Sequence, residues 1–484
     1  MEGIQSLPAP AFCNHGGVQE TPPKRWLLVV LFAAYAVATL VLTLHHEPWR
    51  DEADSWLVAR DLPLPDVLSW TQHSGTPFLW YTLLLPFARA GFPFATQSML
   101  HLVIVLAAAA VFLAQAPFSI TTKALFLFSF YPLYEYGAIA RNYALAILLT
   151  FGLLALHRRR EQHLVAYALL VALLPNANAH SIGIAAPMIL LFAIEVVTRR
   201  RSELRYWGAL AIMCGGMLLS FVQLRSAAQH VISAPWDGAF FEAASRAFIP
   251  SMSNGWTTLW AIAFLVVLVV AIRRNAAALT LLVCSLSTLA IIFTYVWIAG
   301  FRHYGLVLVA VIATLWLAER TPGLVPAMVM LNLSLLASIP AAMRFGVSDL
   351  RANFSASKEM AGYLARNGLE SEEIAAHQPA QCEAVLPHLR RKSFWYAALG
   401  ENGSYMKWDK RYRIGQVTRT DAASMAAAQH FGDREWLFLS TSPLPHPEQQ
   451  QLTLLYATHE PLMETIDADG RPIDERYWLY RHGR

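Results

Sequence analysis

The sequence predicts a polytopic α-helical membrane protein of about eleven spans with a small α/β domain at its C-terminal end. Three observations predict it. Of 484 residues, 56% are hydrophobic and only 14% are charged, with a mean hydropathy of +0.39; an ordinary soluble domain carries about 25% charged residues. The apolar residues gather into runs near the about 20 residues that a helix needs to cross a bilayer core about 30 Å thick. Those runs stop near residue 344, and residues 345–484 contain none of membrane length.

Residues 1–23 lack the basic start and small-residue cleavage site of a removed signal peptide, so 1–24 reads as a cytoplasmic tail. Apolar runs follow at 25–44, 95–115, 121–138, 140–157, 163–175, 181–198, 206–224, 256–272, 276–298, 303–319 and 322–343, with 121–157 and 163–198 as tight helical hairpins. The segment 78–90 would be only about 20 Å long as a helix, so it belongs in the interface within a long first outer loop, 45–94. Charge placement tests the count. With the N-terminus inside, thirteen cations fall at inner ends, among them Arg158, Arg159, Arg160, Arg199, Arg200 and Arg201. Seven fall outside: Arg50, Arg60, Arg89, Arg141, Arg225, Arg246 and Arg302. That bias follows the positive-inside rule and puts everything after about 344 outside. There the chain reads as a helix over 355–368 stopped by Gly368, then strands at 435–441, 452–458 and 476–482.

Composition also excludes function classes. The net charge of +4 is scattered, so no nucleic-acid footprint is present. Cys13, Cys214, Cys284 and Cys382 are too far apart for a disulfide framework or a metal knuckle.

The chemistry-bearing residues converge on one membrane face. The first outer loop holds 49-WRDEADSW-56 and 72-QHSGTPFLWY-81; 140-ARNYAL-145 opens the fourth span, 176-NANAHS-181 lies between the fifth and sixth, and 301-FRHYGL-306 opens the tenth. Ionisable residues are costly near lipid and mark function when they face a bundle interior. Each also has a plainer reading. Asp51 and Asp54 suit the cap of an interfacial helix, Arg141 and Arg302 could snorkel to headgroups, His180 fits a hydrogen-bonded loop, and Tyr143, Tyr304 and Trp56 fit an aromatic belt. Asp51, Glu52 and Asp54 together also offer oxygen ligands of the kind a divalent cation takes.

These motifs resemble those of the GT-C-fold membrane glycosyltransferases, in particular bacterial relatives of the dolichyl-phosphate-mannose protein mannosyltransferases and of the aminoarabinose transferase acting on lipid A. The matching features are 51-DE-52 in the first outer loop, 73-HSGTPFLWY-81 before an aromatic interfacial helix, 140-ARNYAL-145, His180, and 302-RHYGL-306. The likeness spans residues 25–320, with HSGTP standing for an HPP-type segment and RHY for RY. It implies a transmembrane catalytic module over 25–344 and an extracytoplasmic domain over 345–484, in a bacterial inner membrane. It implies transfer of a sugar from a polyprenyl-phosphate carrier to a lipid, glycan or protein acceptor. Asp51 would be the general base, with Glu52 positioning the acceptor or a cation. Arg141, Arg302, Tyr143, His303 and Tyr304 would bind the donor phosphate, and His73, Asp54 and His180 would position substrate. Three other readings stand beside it: a transporter or flippase of lipid-linked sugars, a surface-polysaccharide polymerase or ligase, and a membrane-anchored binding protein whose outer domain does the work. The first would place polar groups and broken helices at mid-membrane, whereas these acids sit on one face.

Overall fold

A computed structural model describes residues 25–199, 202–225, 238–296, 300–416, 418–462, 464–466 and 472–483; the tail 1–24 and two of the arginines counted above, Arg200 and Arg201, lie outside the described residues. The first helices are α1 (Arg25–His45), α2 (Arg50–Asp61), α3 (Val67–Ser74), α4 (Leu79–Arg89), α5 (Ala95–Gln115) and α6 (Ile120–Leu127). They are followed by α7 (Tyr143–His157), α8 (Leu164–Ala177), α9 (Ile182–Thr198), α10 (Leu204–Leu224), α11 (Ala239–Phe248), α12 (Gly255–Ile272), α13 (Ala276–Ile291), α14 (Phe301–Leu317) and α15 (Val325–Arg351).

Among the described residues, seven helices are long and apolar enough to cross a membrane, and α7, α8 and α14 are shorter apolar helices. Those three supply some of the most enclosed side chains of the bundle, such as Leu153, Val171 and Val307. The segment 121–138, expected as a single span, is broken. After α6 the chain forms a π turn over Tyr131–Glu135, where the Tyr136 N–H donates to the Tyr131 carbonyl at 2.7 Å. Pro132 causes the break, because it has no N–H for the ladder of an α-helix. Within the break, the Phe130 N–H donates to Ser338 Oγ at 3.0 Å. The last span also runs further than its hydropathy suggests: α15 continues to Arg351. The apolar segment at 78–90 becomes α4, eleven residues packed against α2.

The C-terminal part contains α16 (Ser357–Arg366), α17 (Pro379–Cys382), α18 (Lys410–Gln416) and α19 (Thr420–Phe431) around a sheet. Gly368, at φ +70°, ends the α16 region in the left-handed conformation that glycine adopts without penalty. The strands are β1 (Ile374–Ala376), β2 (Phe394–Tyr396), β3 (Glu401–Gly403), β4 (Trp436–Ser440), β5 (Leu452–Ala457), β6 (Glu464–Ile466), β7 (Pro472–Asp474) and β8 (Trp478–His482). Six form one sheet in the order β3-β2-β1-β4-β8-β5, with β1 parallel to both β2 and β4 and the other pairs antiparallel. Alternation decides its two faces. Leu437 and Leu439 share a core with Met360 and Leu364 of α16, whereas Trp436 and Phe438 share one with Ala423 and Ala427 of α19.

Helix α2 joins the two parts. Ala53, Trp56 and Ala59 belong to the membrane-bundle core, Leu57 to the core of the C-terminal sheet, and Val58 to a third cluster with Trp70 and Tyr81. A helix walled in on every side is fixed in rotation about its axis. Its first turn therefore presents Asp51 in one direction only.

Candidate active site

Helix α2 begins with its own cap. The Glu52 carboxylate accepts the Trp49 N–H at 3.2 Å, the second half of a capping box. The cap reading therefore moves from Asp51 and Asp54 to Glu52. Asp54 is the fifth residue of the helix, too far in to cap it, and is nearly buried. It accepts the Met406 N–H at 3.4 Å and bonds the Trp408 side chain, so it fastens α2 to the C-terminal domain.

Asp51 gathers three arginines. Arg302 Nη1 donates to Asp51 Oδ2 at 2.5 Å, Arg141 Nη1 lies 3.2 Å from the same oxygen, and Arg50 Nε lies 3.8 Å from Oδ1. Arg141 Nη1 also donates to the Asp51 backbone carbonyl at 2.6 Å. Arg302 stacks over Trp49, with its guanidinium carbon 4.4 Å from the ring centroid, a cation–π placement. The Asp51 side chain keeps 24% of its surface exposed, Arg141 18% and Arg302 20%, so a ligand can reach the cluster. Burial alone would raise the Asp51 carboxyl; Arg141, Arg302 and Arg50 outweigh it and hold it below its ordinary range.

The arginines are placed by local packing. Tyr136 Oη donates to the Arg302 carbonyl at 2.6 Å, and one turn later Gly305 has no room for a side chain: a Cβ there would strike the Tyr131 ring and the Tyr136 hydroxyl. Gly305→Val is expected to push the first turn of α14 away and displace Arg302. Overpacking of this kind costs about 1–3 kcal/mol. The check is a lowered thermal midpoint of the folded variant.

A layer of rings adjoins the cluster. His303 packs against His180 and Tyr143 at centroid distances of 5.1 and 6.0 Å, and Tyr143 stacks on Tyr136 at 5.5 Å. His303 Nδ1 accepts the Gly300 N–H at 3.0 Å, which places the proton of the neutral ring on Nε2. His180 is the hydrogen-bonded loop histidine of the plainer reading in one respect: its Nδ1 lies 3.0 Å from Asn178 Oδ1. Its Nε2 is buried without a hydrogen-bond partner among the described residues. Tyr304 belongs to a different neighbourhood, packed on Phe301 within electrostatic reach of Glu242 and Arg246. The His73 Nδ1 turns back to the Ser69 carbonyl of its own helix at 2.7 Å.

Glu52 does not face a substrate. It is fully buried, its Oε1 accepts the Ala140 N–H at 2.7 Å, and its Oε2 faces His46 Nε2 at 3.0 Å. The expectation that it positions an acceptor or a cation is corrected on that ground. Nor do Asp51, Glu52 and Asp54 form a joint cation site, because the three carboxylates diverge to arginines, to His46 and to the Met406 amide. Among the described residues no group of three or more His, Cys, Asp or Glu is arranged to hold a metal ion.

Several residues here escaped sequence reasoning. His46 was visible in HHEPW but has no distinctive spacing, and its second partner, Asp349, lies 303 residues away. Glu383 and Glu475 come from the C-terminal part: Arg50 N–H donates to Glu475 Oε1 at 2.9 Å, and Glu383 Oε2 is buried without a hydrogen-bond partner among the described residues. Nothing local in the sequence marks either.

These acids make the joint around α2 pH-sensitive. Burial raises Glu47, Asp54 and Glu475 to about 7, with Asp51 adding to the shift at Asp54, and drives Glu383 well above the carboxylate range. A folded-state pKa above the unfolded one gives stability that is full below the unfolded value, near 4, and is lost as pH rises through about 7. Asp51 and Glu52 oppose this only below their ordinary values, since theirs are lowered. Amide exchange in α2, corrected for intrinsic rates, is therefore expected to be slower at pH 5.5 than at pH 8; the reverse order would refute the assignment.

A bundle of membrane-length helices, a capped helix α2 in the connection after α1, and a sheet domain packed on it make up a GT-C-like fold. No family model and no curated relative matches the sequence. Among solved structures, this chain is similar to ArnT from Cupriavidus metallidurans in the apo state, with a TM-score of 0.54 and 12% sequence identity, over 94% of this chain and 98% of that one. At that identity the likeness establishes the fold.

Proposed function

We propose that this protein is a membrane glycosyltransferase that moves a sugar from a polyprenyl-phosphate carrier to an acceptor hydroxyl on the outer face of a bacterial inner membrane, with residues 345–484 on that outer side. One observation carries the proposal: a partly exposed carboxylate, Asp51, is shared by two arginines from separate helices, Arg141 and Arg302. The fold likeness to ArnT, an aminoarabinose transferase, supports the reading.

The chemistry follows from charge. A lipid phosphate brings oxygens that match the planar fork of arginine. On arrival it competes with Asp51 for Arg141 and Arg302 and so releases the carboxylate. As the acceptor oxygen bonds to the anomeric carbon, the freed Asp51 takes its proton. The bond from that carbon to the phosphate oxygen breaks, its electron pair stays on the phosphate, and the arginines hold the charge that develops there. Tyr143, His180 and His303 line the adjoining side, where the sugar would lie.

The test is incubation of the purified protein with a panel of polyprenyl-phosphate sugars and acceptor lipids, measuring released carrier phosphate and glycosylated acceptor. Sugar transfer from at least one donor is expected. Transport of an intact lipid-linked sugar across vesicles without any release of carrier would favour a flippase and defeat the proposal.

A further inference from the structure

The residues beneath Asp51 form a buried chain of charge. His46 Nε2 lies 3.0 Å from Glu52 Oε2, and His46 Nδ1 lies 2.7 Å from Asp349 Oδ2, with all three side chains almost wholly enclosed. Tyr134 Oη donates to the same Asp349 oxygen at 3.2 Å. A neutral imidazole has one N–H, so with both carboxylates ionised one of them would face a ring lone pair. Only the imidazolium donates to both. Burial opposes that charge, but Glu52 and Asp349 outweigh it and hold His46 up at about 10. Glu47, Glu135 and His101 complete its electrostatic surroundings.

Glu52 is the element through which this matters. Its two oxygens grip the Trp49 amide, which opens the turn carrying Asp51, and the Ala140 amide, next to Arg141. Gln97 Nε2 donates to its backbone carbonyl at 2.9 Å. One carboxylate thus sets the distance between Asp51 and Arg141, and its charge is balanced by His46. A buried carboxylate that loses its cation takes up a proton or moves, and either change releases one of the two amides.

We propose that His46 is a positioning residue of the transfer site, acting through Glu52 to fix the backbone turn that carries Asp51 relative to the segment that carries Arg141, with Asp349 anchoring it to the end of α15. This assignment rests on the glycosyltransferase reading above. Sub-ångström placement governs transfer chemistry, and a shift of about 1 Å costs about 10²-fold in rate.

The experiment compares His46→Gln and Asp349→Asn with the wild type, measuring kcat, the donor KM, the pH profile and the thermal midpoint. His46→Gln is expected to lower kcat about 10²-fold while the donor KM stays within about threefold, because both arginines remain. In the wild type, kcat is expected to fall as pH approaches about 10, the value for His46; that limb should vanish in His46→Gln. Should His46→Gln fail to fold, Asp349→Asn, which keeps volume and an acceptor oxygen, carries the test through a lowered kcat and an alkaline limb moved to lower pH. Wild-type kcat with an unchanged profile in a folded variant of either kind overturns the assignment alone. Absence of transfer by the wild type from every polyprenyl-phosphate donor overturns the glycosyltransferase reading and this assignment together.

Discussion

Asp51→Asn is expected to abolish sugar transfer while tightening the grip on the carrier. Loss of the proton acceptor costs about 10²–10⁴ in rate. The amide that replaces it is neutral, so Arg302 and Arg141 no longer have a carboxylate 2.5 and 3.2 Å away to satisfy. A lipid phosphate then meets guanidinium groups whose charge no carboxylate balances. Polyprenyl phosphate should bind about tenfold more tightly, a step of about 1.4 kcal/mol. Both kcat and KM should therefore fall, the pattern left when a ground-state interaction that opposes binding is removed together with a reacting group. Steady-state kinetics on the folded variant and calorimetry with polyprenyl phosphate in detergent provide the check. Wild-type turnover would sink the base assignment. Weaker carrier binding would sink the competition between phosphate and carboxylate.

Arg302→Ala is expected to give the opposite KM response. Removing one preorganised donor to a developing oxyanion costs about 10²–10³ in kcat, and carrier affinity should fall with it. Arg302→Lys keeps a charge but loses the fork that reaches Asp51 and the plane that lies on Trp49, so it should restore only part of the rate. A second signature comes from Asp51. Arg141 and Arg302 are the main cations that hold its carboxyl low. Without Arg302 that carboxyl rises toward its ordinary value, and the acid limb of the pH profile should move to higher pH. An unchanged acid limb together with unchanged donor affinity would remove Arg302 from the site.

What the sequence made legible follows from the range of the forces involved. Spans such as 25–44 and 95–115 are visible because hydrophobicity is a local sum, and α1 and α5 match them almost residue for residue. The strands at 435–441, 452–458 and 476–482 are equally local, and β4, β5 and β8 occupy them. The break at Pro132 was also local, yet an apolar run disguised it. The site was legible in part. Asp51, Arg141 and Arg302 were picked out by motif, and they meet. Glu52 was misread because its neighbours in sequence are acids, while the groups that decide its role are His46 and the Ala140 amide. Asp349, Glu383 and Glu475 could not be found at all. Each matters through a contact with α2 or His46; Asp349 lies 303 residues from His46 and Glu475 lies 425 from Arg50, and no local pattern encodes such a distance.

The enclosed position of α2 has a consequence for how the molecule comes into being. Its twelve residues leave the ribosome early, but Leu57 enters a core that also contains Leu437 and Leu479, and Arg50 takes its partner from Glu475. Until those distant residues have been made and moved to the same side of the membrane, the helix bearing Asp51 lacks one of its walls. Synthesis therefore builds the lipid-embedded scaffold first and the working geometry last. A nascent chain halted after α15 would have its spans in place and the Asp51 carboxylate still unaimed.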